Sequence, residues 1–475
     1  MPTCPPLPGS LDCGEASYRR SVLMMAISTA FINPFTGSAV NIALPAIAKE
    51  FSADAVMISW IAMSYLLASA VFMVPFGRLA DICGRKKIYL TGITIFTLSS
   101  AFCALCASSG SLIFLRALQG IGTSMIFSTS MAILMSAYPA AGRGKALGLT
   151  VASTYTGLSI GPFIGGIITQ YSSWRGIFWF SFAVSLYAAL LTHYKVNIKT
   201  ESTCNEKFDY AGSIIFSLTM LFTLYGFTIL PEKSGYYLIG TGVLFALFFL
   251  RIESNVESPV LNISLFKGNR AFILSNIAAL IHYSATFGLT FLLGLYLQYN
   301  KAMTPREAGA VLIAQPLMMA AFSPIVGRLS EKIEPAFLAS TGMGLTGAGL
   351  LFFASIDSNA SISMIVSNLA MIGFGFALFS SPNTNAVMSS VESRHYGVAS
   401  GILSTMRTAG QTLSMGISSI MITFYVGKNR ITQQNLDSFL SCIRMSFSIF
   451  TALCVIGIFC SLTRGKVHSF DKKSV

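Results

Sequence analysis

Long apolar runs separated by short polar gaps fill almost the whole of this 475-residue sequence. A helix needs about 20 apolar residues to cross the hydrocarbon core of a bilayer. Hydropathy predicts fourteen such helices, near residues 21–43, 57–77, 88–107, 111–137, 144–169, 174–194, 210–230, 235–251, 271–299, 307–327, 336–355, 362–389, 396–426 and 441–463. Only 10% of the residues are charged, whereas soluble proteins contain about 25%. We therefore expect an all-α polytopic membrane protein.

The positions of lysine and arginine predict how these helices are oriented. If the N-terminus is cytoplasmic, the inner segments contain 21 of the 31 basic residues and the outer segments contain 7. A basic excess in the short loops of one side marks the cytoplasmic face of a membrane protein. Both termini are therefore predicted to be cytoplasmic. The net charge of +13 comes from these loops, so the expected partner is the lipid bilayer and not nucleic acid.

The gap between the second and third predicted helices reads GRLADICGRKK from Gly77 and contains one acid and four cations. Such a density of charge does not lie in lipid, so we predict a loop at the cytoplasmic face. The segment resembles the signature GxLaDrxGRK of the major facilitator superfamily of transporters. The resemblance implies a gate whose charge-assisted bonds close this face, formed by Gly77, Asp81, Gly84, Arg85 and Lys86. A loop that only sets the orientation remains the alternative.

The second half of the sequence repeats the first. The segment at Gly77 has a degraded copy, GRLSEKIEP, at Gly327, and the segment at Gly144 returns at Gly397. The two offsets, 250 and 253 residues, agree closely enough to indicate a duplication. Parallel repeats of this kind place a substrate site between the two halves, near the middle of the bilayer.

The repeat also predicts the domain organisation, because two helices lie between the halves and give an arrangement of six plus two plus six. The predicted boundaries are a cytoplasmic tail at 1–20, an N-terminal six-helix bundle at 21–195, two extra helices with linkers at 196–269, a C-terminal six-helix bundle at 270–463, and a cytoplasmic tail at 464–475.

Two segments inside predicted helices resemble further motifs of the superfamily. FLRALQGIG contains Arg116 and Gln119 and resembles the motif RxxqG, whose arginine is implicated in proton coupling in relatives. An arginine in lipid costs about 3 kcal/mol or more, so it usually faces a cavity and has a function. A structural cation bound to backbone carbonyls remains the alternative.

The second of these segments, GLSIGPFIGG, has glycines at every fourth position, and these permit close helix packing. Its proline favours a kink. The segment resembles the antiporter motif GxxxGPxxGG, which implies transport by exchange. The matching positions are Gly157, Gly161, Pro162, Gly165 and Gly166.

Fourteen helices, together with VNIALP (40–45), SWRGIFWF (173–180) and GVASGILSTMRTAG (397–410), make the chain similar to the fourteen-helix drug:proton antiporter family. That family typically has an acid in its first helix, where this sequence has Thr36. None of the 18 acidic residues is predicted near the middle of the bilayer. Since arginines are predicted there, the interior favours neutral or anionic cargo over cations.

Proton coupling would then lack its usual carboxylate. His282 is the only predicted intramembrane group that titrates near neutrality. It is either a proton site or a neutral histidine that hydrogen-bonds between helices. The coupling candidates are Arg116, Gln119, His282 and Arg407.

Several polar residues are expected to line the cavity, because they lie on helices that line it in relatives. These candidates are Asn33, Thr36, Asn41, Tyr155, Asn276, Tyr283, Gln298, Gln315 and Asn383. Polar residues in membrane helices also often bridge neighbouring helices without touching a ligand.

The sequence therefore predicts a monomeric secondary active transporter in a prokaryotic cell membrane, of the multidrug efflux antiporter type. Its cargo would be small amphipathic or drug-like molecules, and coupling to protons stays open. The alternatives are a facilitator or importer of a small neutral or anionic metabolite, and, from another class, a channel or a transporter-like receptor. No cluster of acids and histidines is predicted at depth and no phosphate-binding loop occurs, so we expect no enzyme activity, cofactor or metal.

Overall fold

The structure is a computed structural model that describes residues 10–138, 140–196, 209–253, 265–266, 268–330, 332–392, 396–427 and 429–465. Within these ranges the regular structure is entirely helical. The α-helices are α1 (Ser10–Phe51), α2 (Ala55–Cys83), α3 (Arg85–Leu105), α4 (Ser109–Ala137), α5 (Ala140–Tyr171), α6 (Arg175–Lys195), α7 (Tyr210–Thr228), α8 (Lys233–Glu253), α9 (Arg270–Tyr299), α10 (Pro305–Leu312), α11 (Ala314–Leu329), α12 (Pro335–Ala354), α13 (Ile362–Ser389), α14 (Tyr396–Tyr425) and α15 (Leu436–Thr463).

The fourteen predicted helices are confirmed, with one difference. The tenth is interrupted at Ile313 and consists of α10 and α11. Among the described segments, 13 are long and apolar enough to cross a membrane. The helix that falls short is α14, which is rich in Ser and Thr and contains Arg407. Polar side chains of this kind lie in a membrane helix where they face other helices or a cavity.

The segment predicted as a loop from Gly77 is helical, which corrects that part of the prediction. Helix α2 continues to Cys83, helix α3 begins at Arg85, and only Gly84 separates them, with φ +99°. Hydropathy detects where the apolar residues end, whereas a helix continues as long as its backbone groups remain paired. A positive φ is a conformation that glycine adopts without steric cost.

Helix packing shows the duplication directly. In the first half, α1 packs against α5 and α6, α2 packs against α4, and α3 packs against α4 and α6. In the second half, α9 packs against α14 and α15, α11 packs against α13, and α12 packs against α13 and α15. Each of these five pairs of the first half thus recurs in the second, with α10 and α11 together matching α2. We call these halves the N-bundle (α1–α6) and the C-bundle (α9–α15).

The two extra helices form a hairpin against one side of the bundles. Helix α7 contacts both α2 and α14, whereas α8 packs against α7. Trp60 of α2 lies 5.5 Å from Tyr225 of α7 between ring centroids. Leu224 of α7 packs in one apolar cluster with Leu67 of α2 and Leu413 of α14. The hairpin therefore covers the line along which α2 meets α14.

Candidate functional site

The two bundles meet along three lines, where α2 contacts α14, α5 contacts α10 and α11, and α1 contacts α9. The first two lines are equivalent under the repeat, because α2 matches α10–α11 and α5 matches α14. We call the side on which α1 begins and α15 ends the terminal face, and the other side the opposite face. The space between the bundles is where a repeat of this kind places its substrate site.

At the opposite face, the bundles touch through their backbones. A Cβ atom at Gly166 of α5 would clash with the backbone oxygen of Pro305 of α10, and one at Gly309 would clash with the backbone oxygen of Pro162. Side chains also join the bundles here, since Arg306 Nη1 donates to the Tyr171 hydroxyl at 3.0 Å. This end of the interface is closed.

Along the same face of α5 the contact with the C-bundle weakens towards the terminal face. Positions three or four residues apart share one face of a helix. On this face Ser159 is 5% exposed, Tyr155 is half-buried, and Ala152 and Gly148 are exposed. The Tyr155 hydroxyl lies 3.3 Å from Ser380 Oγ of the C-bundle.

Glycines mark the open end on all four helices that form the two equivalent lines. Nothing lies within 4 Å of the place where a Cβ would stand at Gly148, Gly327 or Gly401, and at Gly77 the nearest atom is Ser128 Cβ at 3.6 Å. These glycines are related in pairs by the repeat. The bundles are therefore packed together at the opposite face and separated along these four helices at the terminal face.

The segment that resembles the antiporter motif has two different faces. Gly157 and Gly165 lie against the backbone of α1, at Phe31 and Ala39, and Gly161 lies against the same helix. This stripe holds the N-bundle together. The proline and the last glycine of the motif instead contact α10 of the other bundle, so one short segment fixes both the internal packing of α5 and its contact across the interface.

The proposed gating residues lie around the break between α2 and α3. Arg85 Nη2 donates to Asp81 Oδ1 at 2.9 Å, and Arg85 Nε donates to the same oxygen at 3.1 Å. Both side chains are nearly half exposed. Lys86 is half-buried and Gly84 is buried. This ion pair lies within the N-bundle, on the face that is open in this conformation.

Arg116 is buried in the N-bundle, with 1% of its surface exposed. Its Nη1 donates to Gln119 Oε1 at 2.5 Å, its Nε donates to the Ile61 carbonyl at 3.3 Å, and its guanidinium lies 4.4 Å from the centroid of the Tyr65 ring. Gln119 in turn donates to Ser100 Oγ at 2.7 Å. Neutral groups from α2, α3 and α4 thus surround the charge.

His282 lies in an aromatic environment inside the C-bundle. Its ring centroid is 4.0 Å from that of Phe379 and 4.9 Å from that of Phe376, and the residue is fully buried. Neither ring nitrogen has a hydrogen-bond partner. In this conformation, therefore, no chain of hydrogen bonds among the described side chains leads to or from the imidazole.

Three of the expected cavity residues make hydrogen bonds inside a bundle. The hydroxyl of Thr36 donates to the Ile32 carbonyl at 2.8 Å and lies 2.8 Å from Ser181 Oγ. Asn276 donates to the Phe272 carbonyl at 2.9 Å. Asn383 donates to the Ser275 carbonyl at 3.1 Å and accepts from Arg464 at 3.0 Å. The contacts of Thr36 and Asn383 bridge helices of one bundle, whereas that of Asn276 lies within α9.

The remaining cavity candidates have different surroundings. Gln298 of α9 donates to the Ile42 carbonyl of α1 at 3.0 Å and so joins the bundles. Asn33 is 2% exposed, and both its amide atoms lack partners. Asn41 and Gln315 are buried. Tyr155 and Tyr283 are half-buried.

The sequence did not single out two features of the C-bundle. Arg464, predicted to open the C-terminal tail, is 1% exposed and bonded to Asn383. Ser380 and Thr384 of α13 contact Tyr155 and Arg407, respectively. The only available signal was spacing, since residues four apart on α13 must share a face.

The carboxylates keep to the ends of the helices. Each acidic side chain that the structure describes lies in a loop or within the first or last two turns of a helix. No group of three His, Cys, Asp or Glu within these ranges could hold a metal ion. The described interior between the bundles therefore contains arginine, hydroxyl, amide and aromatic groups.

Comparison with known proteins agrees with this architecture. The family model described as Major Facilitator Superfamily matches residues 26–275 and 275–473. The riboflavin transporter RibZ of Clostridioides difficile (strain 630) is 28% identical over 92% of this chain and 95% of its own length. The multidrug resistance protein Stp of Mycobacterium tuberculosis (strain CDC 1551 / Oshkosh) is 28% identical over 80% of this chain and 71% of its own length.

Two solved structures show the same fold. The nucleoside transporter NupG superimposes with a TM-score of 0.64 at 14% identity, covering 94% of this chain and 99% of its own. An inward-facing, unoccupied bacterial homologue of the human lysosomal transporter Spinster gives a TM-score of 0.65 at 16% identity, covering 96% and 98%. The chain is a multi-pass membrane transporter that belongs to the major facilitator superfamily.

Proposed function

We propose that this transporter exports small amphipathic or drug-like molecules across the cell membrane by alternating access. In this proposal the terminal face is cytoplasmic, as the basic residues predict. The structure then corresponds to the state in which substrate enters from the cytoplasm. Rocking of the N-bundle against the C-bundle would close this face and open the other.

The observation that carries the proposal is that the interface between the bundles is packed at one end and open at the other. Backbone contacts join α5 and α10 at one end, while Gly148, Gly327 and Gly401 have open space at the other. Packed interfaces tend to have a few discrete arrangements and not a continuum. A pair of related bundles that pivots about its middle accounts for both ends at once.

Electrostatics favours neutral or anionic cargo. Arg407 lies on the C-bundle side of the interface, and the described carboxylates lie at helix ends. A cation between the bundles would meet no opposite charge there, and the arginine would repel it. Similarity to the multidrug resistance protein Stp supports a drug-like cargo, whereas the cargo charge is argued from this chain alone.

If transport is coupled to protons, the coupling candidates remain Arg116, Gln119, His282 and Arg407. Arg116 and Gln119 form one hydrogen-bonded network with Ser100. Neither ring nitrogen of His282 has a hydrogen-bond partner in this conformation, so the imidazole would have to meet a proton donor in the other state. Unchanged proton-driven uptake by His282→Asn in inverted membrane vesicles would remove this residue from the mechanism.

The main test is transport by the purified chain in proteoliposomes, with an imposed pH gradient of either sign. Fluorescent cationic, neutral and anionic dyes of similar size would serve as substrates. We expect movement of the neutral and anionic dyes away from the terminal face, and ethidium-like cations to compete poorly. Clear preference for cations, or uptake only towards the terminal face, would contradict the proposal.

A second candidate is transport of a small neutral metabolite. It is supported by similarity over nearly the full length to the riboflavin transporter RibZ, and by Thr36 in the place of the acid typical of the drug:proton antiporters. In the same proteoliposomes, uptake of a metabolite that is independent of the pH gradient would favour this candidate over coupled export.

A further inference from the structure

A half-exposed arginine of the C-bundle lies beside the space between the bundles. Nη2 of Arg407 donates to Thr384 Oγ1 at 2.5 Å, and the guanidinium lies 5.7 Å from the centroid of the Tyr283 ring. Its Nε atom is buried and has no hydrogen-bond partner. The guanidinium group therefore donates to a hydroxyl group and has a second, buried donor that is unused.

Aromatic rings and hydroxyl groups from three other helices contact this arginine or its direct neighbours. On α13, Phe376, Ser380 and Thr384 are four residues apart and share one face. Phe376 packs edge-on against Tyr283 of α9, with 5.3 Å between ring centroids. Tyr155 of α5 reaches Ser380 from the N-bundle. We call these six residues the Arg407 cluster.

Arg407 differs from two buried arginines, Arg116 and Arg464. Arg116 has an amide oxygen, a backbone carbonyl and an aromatic ring around its charge. Arg464 also has unused donors, but it is 1% exposed and sealed inside the C-bundle. Arg407 alone among these three is half-exposed. A poorly compensated cation in a low-dielectric cleft attracts an anion more strongly than one in water does.

We propose that the Arg407 cluster is a subsite for a planar aromatic anion, such as an aromatic carboxylate. The anion would accept hydrogen bonds from the Arg407 guanidinium, which is a flat fork suited to two oxygens. The ring of the ligand would pack against Tyr155 and Tyr283, as aromatic pairs do in offset or edge-on geometry. This inference rests on the proposed transport function and names the substrate class of its site.

The position of the subsite gives it a role in the conformational change. Tyr155 belongs to the N-bundle, whereas the other five residues belong to the C-bundle. A ligand that touches both groups makes different contacts in different arrangements of the bundles, and only such differences shift a conformational equilibrium. Binding at this place is therefore expected to favour the state in which Tyr155 and Arg407 approach each other.

The test measures binding by the purified full-length chain in detergent, without transport. The probes are 2-naphthoate, the neutral 2-naphthylmethanol and the cationic 2-naphthylmethylammonium, and the readouts are calorimetric titration and the ligand-induced shift in melting temperature. We expect naphthoate to bind at least ~10-fold more tightly than the alcohol, as a charge-assisted hydrogen bond implies. The cation should bind most weakly.

Substitutions test whether naphthoate binds at the Arg407 cluster. Arg407→Gln should remove the preference for naphthoate, and Arg407→Lys should retain part of it, because lysine keeps the charge but loses the flat fork. Tyr283→Leu should weaken naphthoate without restoring the cation. The matched control is Arg444→Gln, in another C-bundle helix, whose arginine Nε donates to the Ile356 carbonyl at 2.7 Å; it should bind as the wild type does.

Three results would overturn the subsite. They are equal or tighter binding of the cation, unchanged naphthoate binding by both Arg407→Gln and Tyr283→Leu, and no binding of any of the three probes. If Arg407→Gln does not fold, Arg407→Lys and Tyr283→Leu still decide the question. Failure of these tests leaves alternating access standing, whereas naphthoate binding to a chain that transports none of the dyes would refute the transport proposal alone.

Discussion

The two ends of the interface between α5 and α10–α11 use glycine in opposite ways. At the opposite face, Gly166 and Gly309 let two backbones touch, and any Cβ there would clash. At the terminal face, Gly148 and Gly327 have empty space where a Cβ would stand. At the opposite face, therefore, glycine permits a contact that is present in this structure. At the terminal face, glycine would permit a contact that forms only in the other state of the proposed mechanism.

The largest expected effect comes from filling either end with a side chain. Gly309→Leu should push α10 away from α5, because the Pro162 backbone cannot yield as a side chain would. Overpacking of this kind costs about 1–3 kcal/mol, which corresponds to a roughly 5- to 150-fold change in a conformational equilibrium. The equilibrium then shifts towards the state that is closed at the terminal face, so a cysteine introduced at Ala152 should react more slowly with an impermeant maleimide, by up to the same factor.

The companion variant fills the open end. Gly401→Leu leaves the present contacts intact but obstructs closure at the terminal face, so the cysteine at position 152 should stay fully reactive while transport is lost. Gly240→Leu is the control, since Gly240 of α8 also has nothing within 4 Å but lies away from the interface. Identical labelling rates in Gly309→Leu and Gly401→Leu would break the comparison.

A second comparison concerns one arginine from each bundle, Arg116 of the N-bundle and Arg407 of the C-bundle. Arg116→Leu should lower the free energy of unfolding by about 1–3 kcal/mol, because it leaves the buried side-chain oxygen of Gln119 without the donor that Arg116 provides. Arg407→Leu should cost less than this, since its side chain makes one hydrogen bond and is half-exposed. Thermal unfolding of both variants provides the measurement. A larger loss of stability in Arg407→Leu than in Arg116→Leu would contradict this difference between the two arginines.

Two glycine-to-alanine substitutions on α5 should change the stability of the protein in opposite directions. Gly157→Ala should destabilise the N-bundle, by about 1–3 kcal/mol, because the new methyl group meets the backbone of Phe31. Gly148→Ala should stabilise the protein slightly, by up to about 1 kcal/mol, because alanine is the better helix former and space is available. The pair is measured by melting temperature, and a destabilised Gly148→Ala would mean that the terminal end is packed.

The smallest expected effect concerns the ion pair at the break between α2 and α3. Arg85→Gln should change the free energy of unfolding by about 0–1 kcal/mol, because exposed ion pairs contribute little. If the pair is part of the gate, the variant should instead alter the labelling rate at position 152. Lys233→Gln, at the opposite face, is the control for a simple loss of charge.

Much of the fold follows from the sequence, because hydropathy and charge bias act over whole helices. The fourteen spans were predicted, and so was the family, on short motifs. The break at Ile313 was not predicted, since the apolar residues continue without a gap from Ala308 of α10 into α11. The helical continuation of α2 past Gly77 was also not predicted. Hydropathy assigns polar residues at the end of an apolar helix to a loop even when the helix continues through them.

The site is harder to predict from the sequence, because the direction in which a side chain points, and not its residue type, decides whether it faces the cavity. Thr36, Asn276 and Asn383 have the composition of cavity residues, but their hydrogen bonds lie within a bundle. Within the antiporter-like motif, sequence spacing shows a glycine stripe but not that its last glycine contacts the other bundle. Ser380 and Thr384 were not singled out, since hydroxyl groups are common in membrane helices and usually bond to their own backbone.

The most direct test of the central claim is a pair of distances measured in the same protein by spin-label spectroscopy. One pair of labels replaces Leu149 of α5 and Leu329 of α11 at the terminal face, and the other replaces Ser172 and Arg306 at the opposite face. When a pH gradient or a transported dye is added, we predict that the first distance shortens while the second lengthens. Distances that stay constant, or that change in the same direction, would contradict the rocking of two bundles.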